Sequence, residues 1–188
     1  MPRTKPAGGA PRGGRRDERP AFGGEIFVTV GTHTQQFDRL LREVDGLVAG
    51  GKIKARVFAQ TGNSKYVPKN YGWKKFLDAR EYEEAIRASS LVISHGGAGA
   101  IISALRAGKR LIIVPRLKEF GEHTDSHQTD LARAMQERGK ALAAFSIGEL
   151  EGKIKACTKL PTCRSERKKV VECLERFALA LEGKGKNE

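Results

Sequence analysis

The chain has 188 residues, 39% of them hydrophobic and 30% charged, with a formal net charge of +13. That length supports one ordinary domain with a sizeable core and is short for two, and the composition is globular. Three cysteines without a CxxC pair argue against a disulfide framework or a zinc knuckle, and no apolar run approaches the roughly 18 residues that span a bilayer.

Residues 1–24 carry six Lys/Arg against two Asp/Glu, with four prolines and six glycines. They predict a disordered basic leader, and they lack the apolar stretch of a secretory signal. A reducing, cytoplasmic setting suits the unpaired cysteines. The ordered domain is expected over 25–160. EIFVTVG reads as a strand ending in glycine, and QFDRLLREVDGLVA follows with Phe37, Leu40, Leu41, Val44 and Leu47 at helical spacing. ARVFAQTG repeats the strand-to-glycine pattern, WKKFL reads as a short third strand, and REYEEAIRAS as a short helix. SLVISHGG is a fourth strand and AGAIISALRAG a helix closed by Gly108. RLIIVP is a fifth strand, HTDSHQTDLARAMQERG a helix stopped by Gly139, and KALAAF a sixth strand. Over 161–188 the pattern changes. RSERKKVVECLERFALALEG places Val170, Leu174, Phe177 and Leu181 on one face of an appended amphipathic helix with a basic tail.

Strands alternating with helices, and nearly continuous apolar strands, predict an α/β class: a Rossmann-like, doubly wound parallel sheet covered on both faces. Such sheets bind ligands at the carboxyl ends of their strands. Here those ends open into polar, glycine-bearing turns: Gly31-Thr32-His33, Gln60-Thr61-Gly62-Asn63 and Ser94-His95-Gly96-Gly97.

The last of these turns, SHGGAGA, leads from strand into helix. The first N–H groups of a helix have no intrahelical partners, and the helix dipole makes them a site for anions. Gly96, Gly97 and Gly99 strip side chains from that surface, which suits a phosphate or diphosphate. The same glycines are also explained by a tight turn and close helix packing. Neither GxGxxG nor a P-loop is complete, since Ile102 holds the last glycine place. The loop RLKEFGEHTDSHQ faces the same end of the sheet and brings Asp125, His127 and Gln128, groups able to exchange hydrogen bonds with sugar hydroxyls. Thr124 or Asp125 could instead simply cap the helix. His123 and His127 stand four apart, but without HEXXH a sugar contact is the better reading than a metal, and no metal ligand is assigned.

Taken together, VTVGTHTQQFDRLLREVD, the QTG and PKN stretches, ISHGGAGAIISAL and IIVPRLKEFGEHTDSHQ resemble the C-terminal, donor-binding domain of family 28 glycosyltransferases. The likeness is nearest to the subunits of bacterial exopolysaccharide synthesis, and more distant to the soluble subunit that extends dolichol-linked N-acetylglucosamine. The resemblance implies a single C-terminal half of a GT-B enzyme. It would transfer a hexose from a UDP-sugar to a lipid-linked acceptor, with inversion and, in the absence of a DxD motif, without a metal. A membrane-anchored partner would supply the acceptor half and recruit the chain to the cytoplasmic face of a membrane. UDP-sugar is then a substrate and no cofactor is expected.

By position, Ser94, His95, Gly96, Gly97, Ala98 and Gly99 would face the donor diphosphate, Gly31 and Thr32 would border the cleft floor beside Gln60, and His127 and Gln128 would approach the sugar. His33 is a candidate general base, although the base could come from the partner. Ser103 stands where relatives carry a ribose-gripping glutamate, so ribose recognition uses other groups or is weaker. An alternative within the resemblance is transfer of N-acetylglucosamine to a polyprenyl or dolichol diphosphate carrier. Specific nucleic-acid binding is disfavoured, because aromatic residues are 6% of the chain and the excess positive charge lies mainly at its ends. A catalytically idle scaffold would have no use for a bare helix N-terminus.

Overall fold

The computed structural model describes residues 25–124 and 127–159; the expected leader, the helix at 161–188, Asp125 and Ser126 lie outside them. Its centre is one six-stranded sheet of β1 (Ile26–Thr29), β2 (Val57–Gln60), β3 (Gly72–Lys74), β4 (Leu91–Ser94), β5 (Arg110–Ile113) and β6 (Leu142–Ala143). All pairings are parallel, in the order β3-β2-β1-β4-β5-β6. Helices α1 (Asp38–Ala49), α2 (Ala79–Ala88), α3 (Ala98–Arg106), α4 (His127–Glu137) and α5 (Leu150–Lys159) connect and cover it.

The strands alternate their side chains between two cores. Ile26 and Val28 point into a layer shared with Leu40, Leu41, Val44, Leu150 and Ile154 from α1 and α5. Phe27 and Val92 point the other way, against Ile86, Ile101, Leu105, Leu131 and Met135 from α2, α3 and α4. Both faces are covered, so β1, β2 and β4 are buried at every position and read as unbroken apolar runs.

Three elements differ from expectation. The third strand spans Gly72–Lys74 rather than WKKFL, because the chain turns at Lys75 to reach the cap of α2. The fourth helix spans His127–Glu137, whereas His123 and Thr124, expected at its start, lie outside it. Helix α5 has no counterpart in the sequence reading.

Neighbouring strands β1 and β4 carry crossovers to opposite sides of the sheet. This is the topological switch point, where the carboxyl ends of the strands leave a crevice.

Candidate functional site

A cleft of about 350 Å³ opens at that point, lined by Thr29, Gly31, Thr32, Gln60, Leu77, Asp78, Ala79, Tyr82, His95, Gly97, Gly99 and Ala100. Its floor is polar and buried: Thr29 Oγ1 donates to Gln60 Oε1 at 3.3 Å and accepts from Gly31 N at 3.3 Å. Tyr82 forms one wall, its ring edge-on to Phe27 at 5.5 Å, and burial raises its phenol pKa.

Two helices begin at the cleft, and they begin differently. Helix α2 is closed by a capping box, in which Asp78 accepts from Glu81 N and Glu81 accepts from Asp78 N. Helix α3 has no side-chain cap, and its N-cap is Gly97. Its first N–H groups have no partner within the helix, and Gly99 and Ala100 lie on the cleft wall. The open positive end of α3 is therefore presented where an anion can reach it.

The three glycines of the turn serve distinct purposes. A Cβ on Gly96 would stand 2.5 Å from the Cβ of Gln128, so this glycine lets α4 pack against the turn. A Cβ on Gly97 would stand 2.3 Å from His95 Nε2, so this one makes room for the imidazole. A Cβ on Gly99 would meet nothing within 4 Å. Close packing thus accounts for Gly96 and Gly97, whereas Gly99 only keeps the helix entrance bare.

His95 sits between Gly31 and Gly97, with a Cβ on Gly31 also reaching within 2.5 Å of the ring. Its Nδ1 lies 3.4 Å from the Thr29 carbonyl oxygen, an acceptor, which places the proton on Nδ1 and the lone pair on Nε2. Burial, and secondarily the charge of Arg116, push the imidazole pKa down to about 4, so the ring is neutral at physiological pH.

Other expected site residues are placed as follows. Gly31, Thr32, Gln60, His95, Gly97 and Gly99 line the cleft together. Ser94 is fully buried and donates to the His95 carbonyl, while Ala98 is partly buried in the first turn of α3. Gln128 is buried, and its Oε1 accepts from Gly96 N and Arg116 N, each at 3.2 Å. That oxygen ties the turn to the loop after β5. His127 is exposed, and His33, also exposed, stacks on His123 with ring centroids 5.1 Å apart, outside the cleft lining. Ser103 lies away from the cleft, in a hollow between α2 and α3 beside Glu83 and Arg87.

Arg116 was not singled out in the sequence. It is 1% exposed, and its guanidinium donates to the carbonyl oxygens of Val30, Gln35, Gln36 and Glu122. The loop after β1 is thereby fastened to the loop after β5. A second fastening runs beside it, where Arg39 makes a two-pronged pair with the buried Glu122. Burial lowers the Arg116 pKa to about 10, and the nearby Glu122 charge opposes this. No local pattern marks Arg116, because its acceptors are backbone carbonyls, three of them 80 or more residues away.

Among the described residues, no group of three or more His, Cys, Asp or Glu is gathered as a metal would require, and no helix is long and apolar enough to cross a membrane.

Comparison with known proteins agrees with this architecture. The human protein named UDP-N-acetylglucosamine transferase subunit ALG13 is 33% identical over 123 residues, which is 61% of this chain and 10% of that protein. The solution structure of ALG13 superposes with a TM-score of 0.55 at 22% identity, over 81% of this chain and 95% of that one. The glycosyltransferase SnogD from Streptomyces nogalater gives 0.57 at 18% identity, over 92% of this chain but only 44% of its own. The fold is thus one Rossmann-like half of a GT-B glycosyltransferase. The glycosyltransferase family 28 C-terminal domain matches residues 25–181, and the chain belongs to that family.

Proposed function

We propose that this chain is the donor-binding subunit of a split glycosyltransferase that moves a sugar from a UDP-sugar to a lipid-linked acceptor, with inversion and without a resident metal. The observation that carries the reading is the uncapped N-terminus of α3, opening on a cleft at the sheet's switch point. When the glycosidic bond breaks, negative charge grows on the β-phosphate of the leaving nucleotide. Fixed N–H dipoles aimed at that oxygen stabilise the transition state more than the ground state, as catalysis requires. Neutral His95 can accept a hydrogen bond at Nε2 without adding charge to the donor site.

Deprotonation of the acceptor hydroxyl needs a base from elsewhere in the cleft. His33, exposed beside it, is one source, and a membrane-anchored partner carrying the acceptor half is the other. The relatives named as subunits of a UDP-N-acetylglucosamine transferase support the division. The donor sugar has two readings. The sequence motifs favour a hexose of exopolysaccharide synthesis. The relatives named as subunits of a UDP-N-acetylglucosamine transferase favour N-acetylglucosamine.

The test combines binding and turnover. Calorimetry of the purified chain with UDP, UDP-glucose and UDP-N-acetylglucosamine should detect binding and rank the sugars. Transfer to a lipid-linked acceptor should require membranes containing the acceptor-half partner. Failure to bind any uridine nucleotide would overturn the donor assignment, and robust transfer by the chain alone would overturn the split cleft.

A further inference from the structure

Four large hydrophobic side chains stand exposed among the described residues. Three of them, Val67 (54%), Trp73 (41%) and Phe76 (41%), fall within ten residues at one edge of the sheet. The strand there, β3, pairs with β2 alone and is exposed along its length. Register sets Trp73 beside Ala59, on the α1 face.

Lys65, Lys69, Lys74 and Lys75 are interleaved with these groups and all are exposed, and no carboxylate occurs between Thr61 and Leu77. Lys74 is engaged by Glu81, while the Lys75 ammonium lies 5.7 Å from the Phe76 ring centroid. The neighbouring acids of α1 hold the backbone of this segment. Asp38 accepts from Lys65 N and Tyr66 N, and Asp45 accepts from Tyr66 Oη, Lys69 N and Asn70 N. Residues 65–70 are thus held against α1, residues 72–74 are held by β2, and the segment carries exposed apolar and cationic groups.

We propose that this edge, residues 65–76, docks on the surface of an anionic lipid bilayer. Trp73, Phe76 and Val67 enter the interface while Lys65, Lys69 and Lys75 meet the headgroups. Charge complementarity selects the anionic surface, and an amphipathic indole beside lysines suits the headgroup level. Bases of a single-stranded nucleic acid would use the two rings by stacking but would leave Val67 uncovered, so lipid accounts for more of the patch. The placement is functional as well. Phe76 is followed directly by Leu77 and Asp78, which line the cleft, so docking here brings the cleft to the membrane plane. This goes beyond the transferase reading, and its test contains no nucleotide sugar.

Trp73 is the only tryptophan in the chain, so tryptophan emission, excited selectively over tyrosine, reports on this patch alone. The full chain should be titrated with vesicles of equimolar phosphatidylcholine and phosphatidylglycerol, and with phosphatidylcholine alone. On the anionic vesicles the emission should shift to the blue and be quenched by brominated acyl chains. In sedimentation, the double variant Trp73→Ser/Phe76→Ser should bind about tenfold or more weakly, and Lys69→Gln/Lys75→Gln should also bind more weakly. Both pairs are exposed, and a melting curve verifies that each variant folds. Three outcomes overturn the proposal: no binding to anionic vesicles, binding with unchanged emission and an undiminished double variant (the basic ends then being responsible), or an emission shift with a single-stranded oligonucleotide and none with vesicles.

Discussion

His95 Nε2 occupies the space where a side chain on Gly97 would begin, 2.3 Å from the Cβ position of that glycine. The turn can therefore hold its imidazole only because residue 97 has no Cβ. Gly97→Ala should displace the ring or open the turn, at about 1–3 kcal/mol as for other overpacked sites. Gly97→Asp adds a carboxylate at the entrance of α3 and should abolish donor binding through like-charge repulsion. Thermal melting together with UDP calorimetry separates the two effects. Wild-type binding by a folded Gly97→Asp variant would place the diphosphate elsewhere.

Neutral His95 also makes stability depend on pH. Its folded pKa of about 4 lies below the ordinary 6.5, so between those values the unfolded chain binds a proton that the native state does not. Stability then rises with pH across this window. It is complete above about 6.5 and falls as the pH drops toward 4, by up to about 3 kcal/mol for this one group. Urea midpoints from pH 7 to 4 should show that loss, and His95→Gln should remove most of it. A His95→Gln curve parallel to wild type would assign the acid sensitivity to other groups.

The sheet is legible in the sequence because strands buried on both faces are continuous apolar runs, and Leu91–Ser94 ending in HGG is unmistakable at a switch point. Helix α5 is not, because among its described side chains only Leu150, Ile154 and Cys157 are buried, between lysines, a glycine and a glutamate, too thin a stripe to stand out. β6 escapes sharp definition since only two residues pair. Within the site, Gly31, Gln60, His95, Gly97 and Gly99 follow from the strand-to-turn pattern. The α2 wall with Asp78 and Tyr82 does not, because nothing local tells that this helix begins beside the crevice.

Arg116 gives a test of long-range fastening. Its planar fork serves four carbonyl oxygens on two loops, a geometry that an ammonium on a flexible stem does not reproduce. Arg116→Lys should cost about 2–4 kcal/mol and Arg116→Met at least as much, since Glu122 then loses a neighbouring cation. Because the Arg116 charge helps hold His95 neutral, Arg116→Met should also raise the His95 pKa. Chemical denaturation measures the first effect and an NMR titration of the imidazole the second. A pKa unmoved in a folded Arg116→Met variant would leave burial as the whole cause.

Gly99 separates packing from binding more cleanly than any other position. It is exposed, it lies in the first turn of α3, and a Cβ there would touch nothing within 4 Å. By helix propensity alone, Gly99→Ala should leave the fold intact and stabilise it by about 0.5–1 kcal/mol. If the entrance of α3 receives a diphosphate, the added methyl stands between the phosphate oxygens and the N–H groups. The same variant should then bind UDP about tenfold more weakly, a loss of about 1.4 kcal/mol. Opposite signs in melting temperature and nucleotide affinity are the expected signature. A Gly99→Ala protein that melts higher and binds UDP as tightly as wild type would show that the bare glycine is incidental and that the anion does not approach α3.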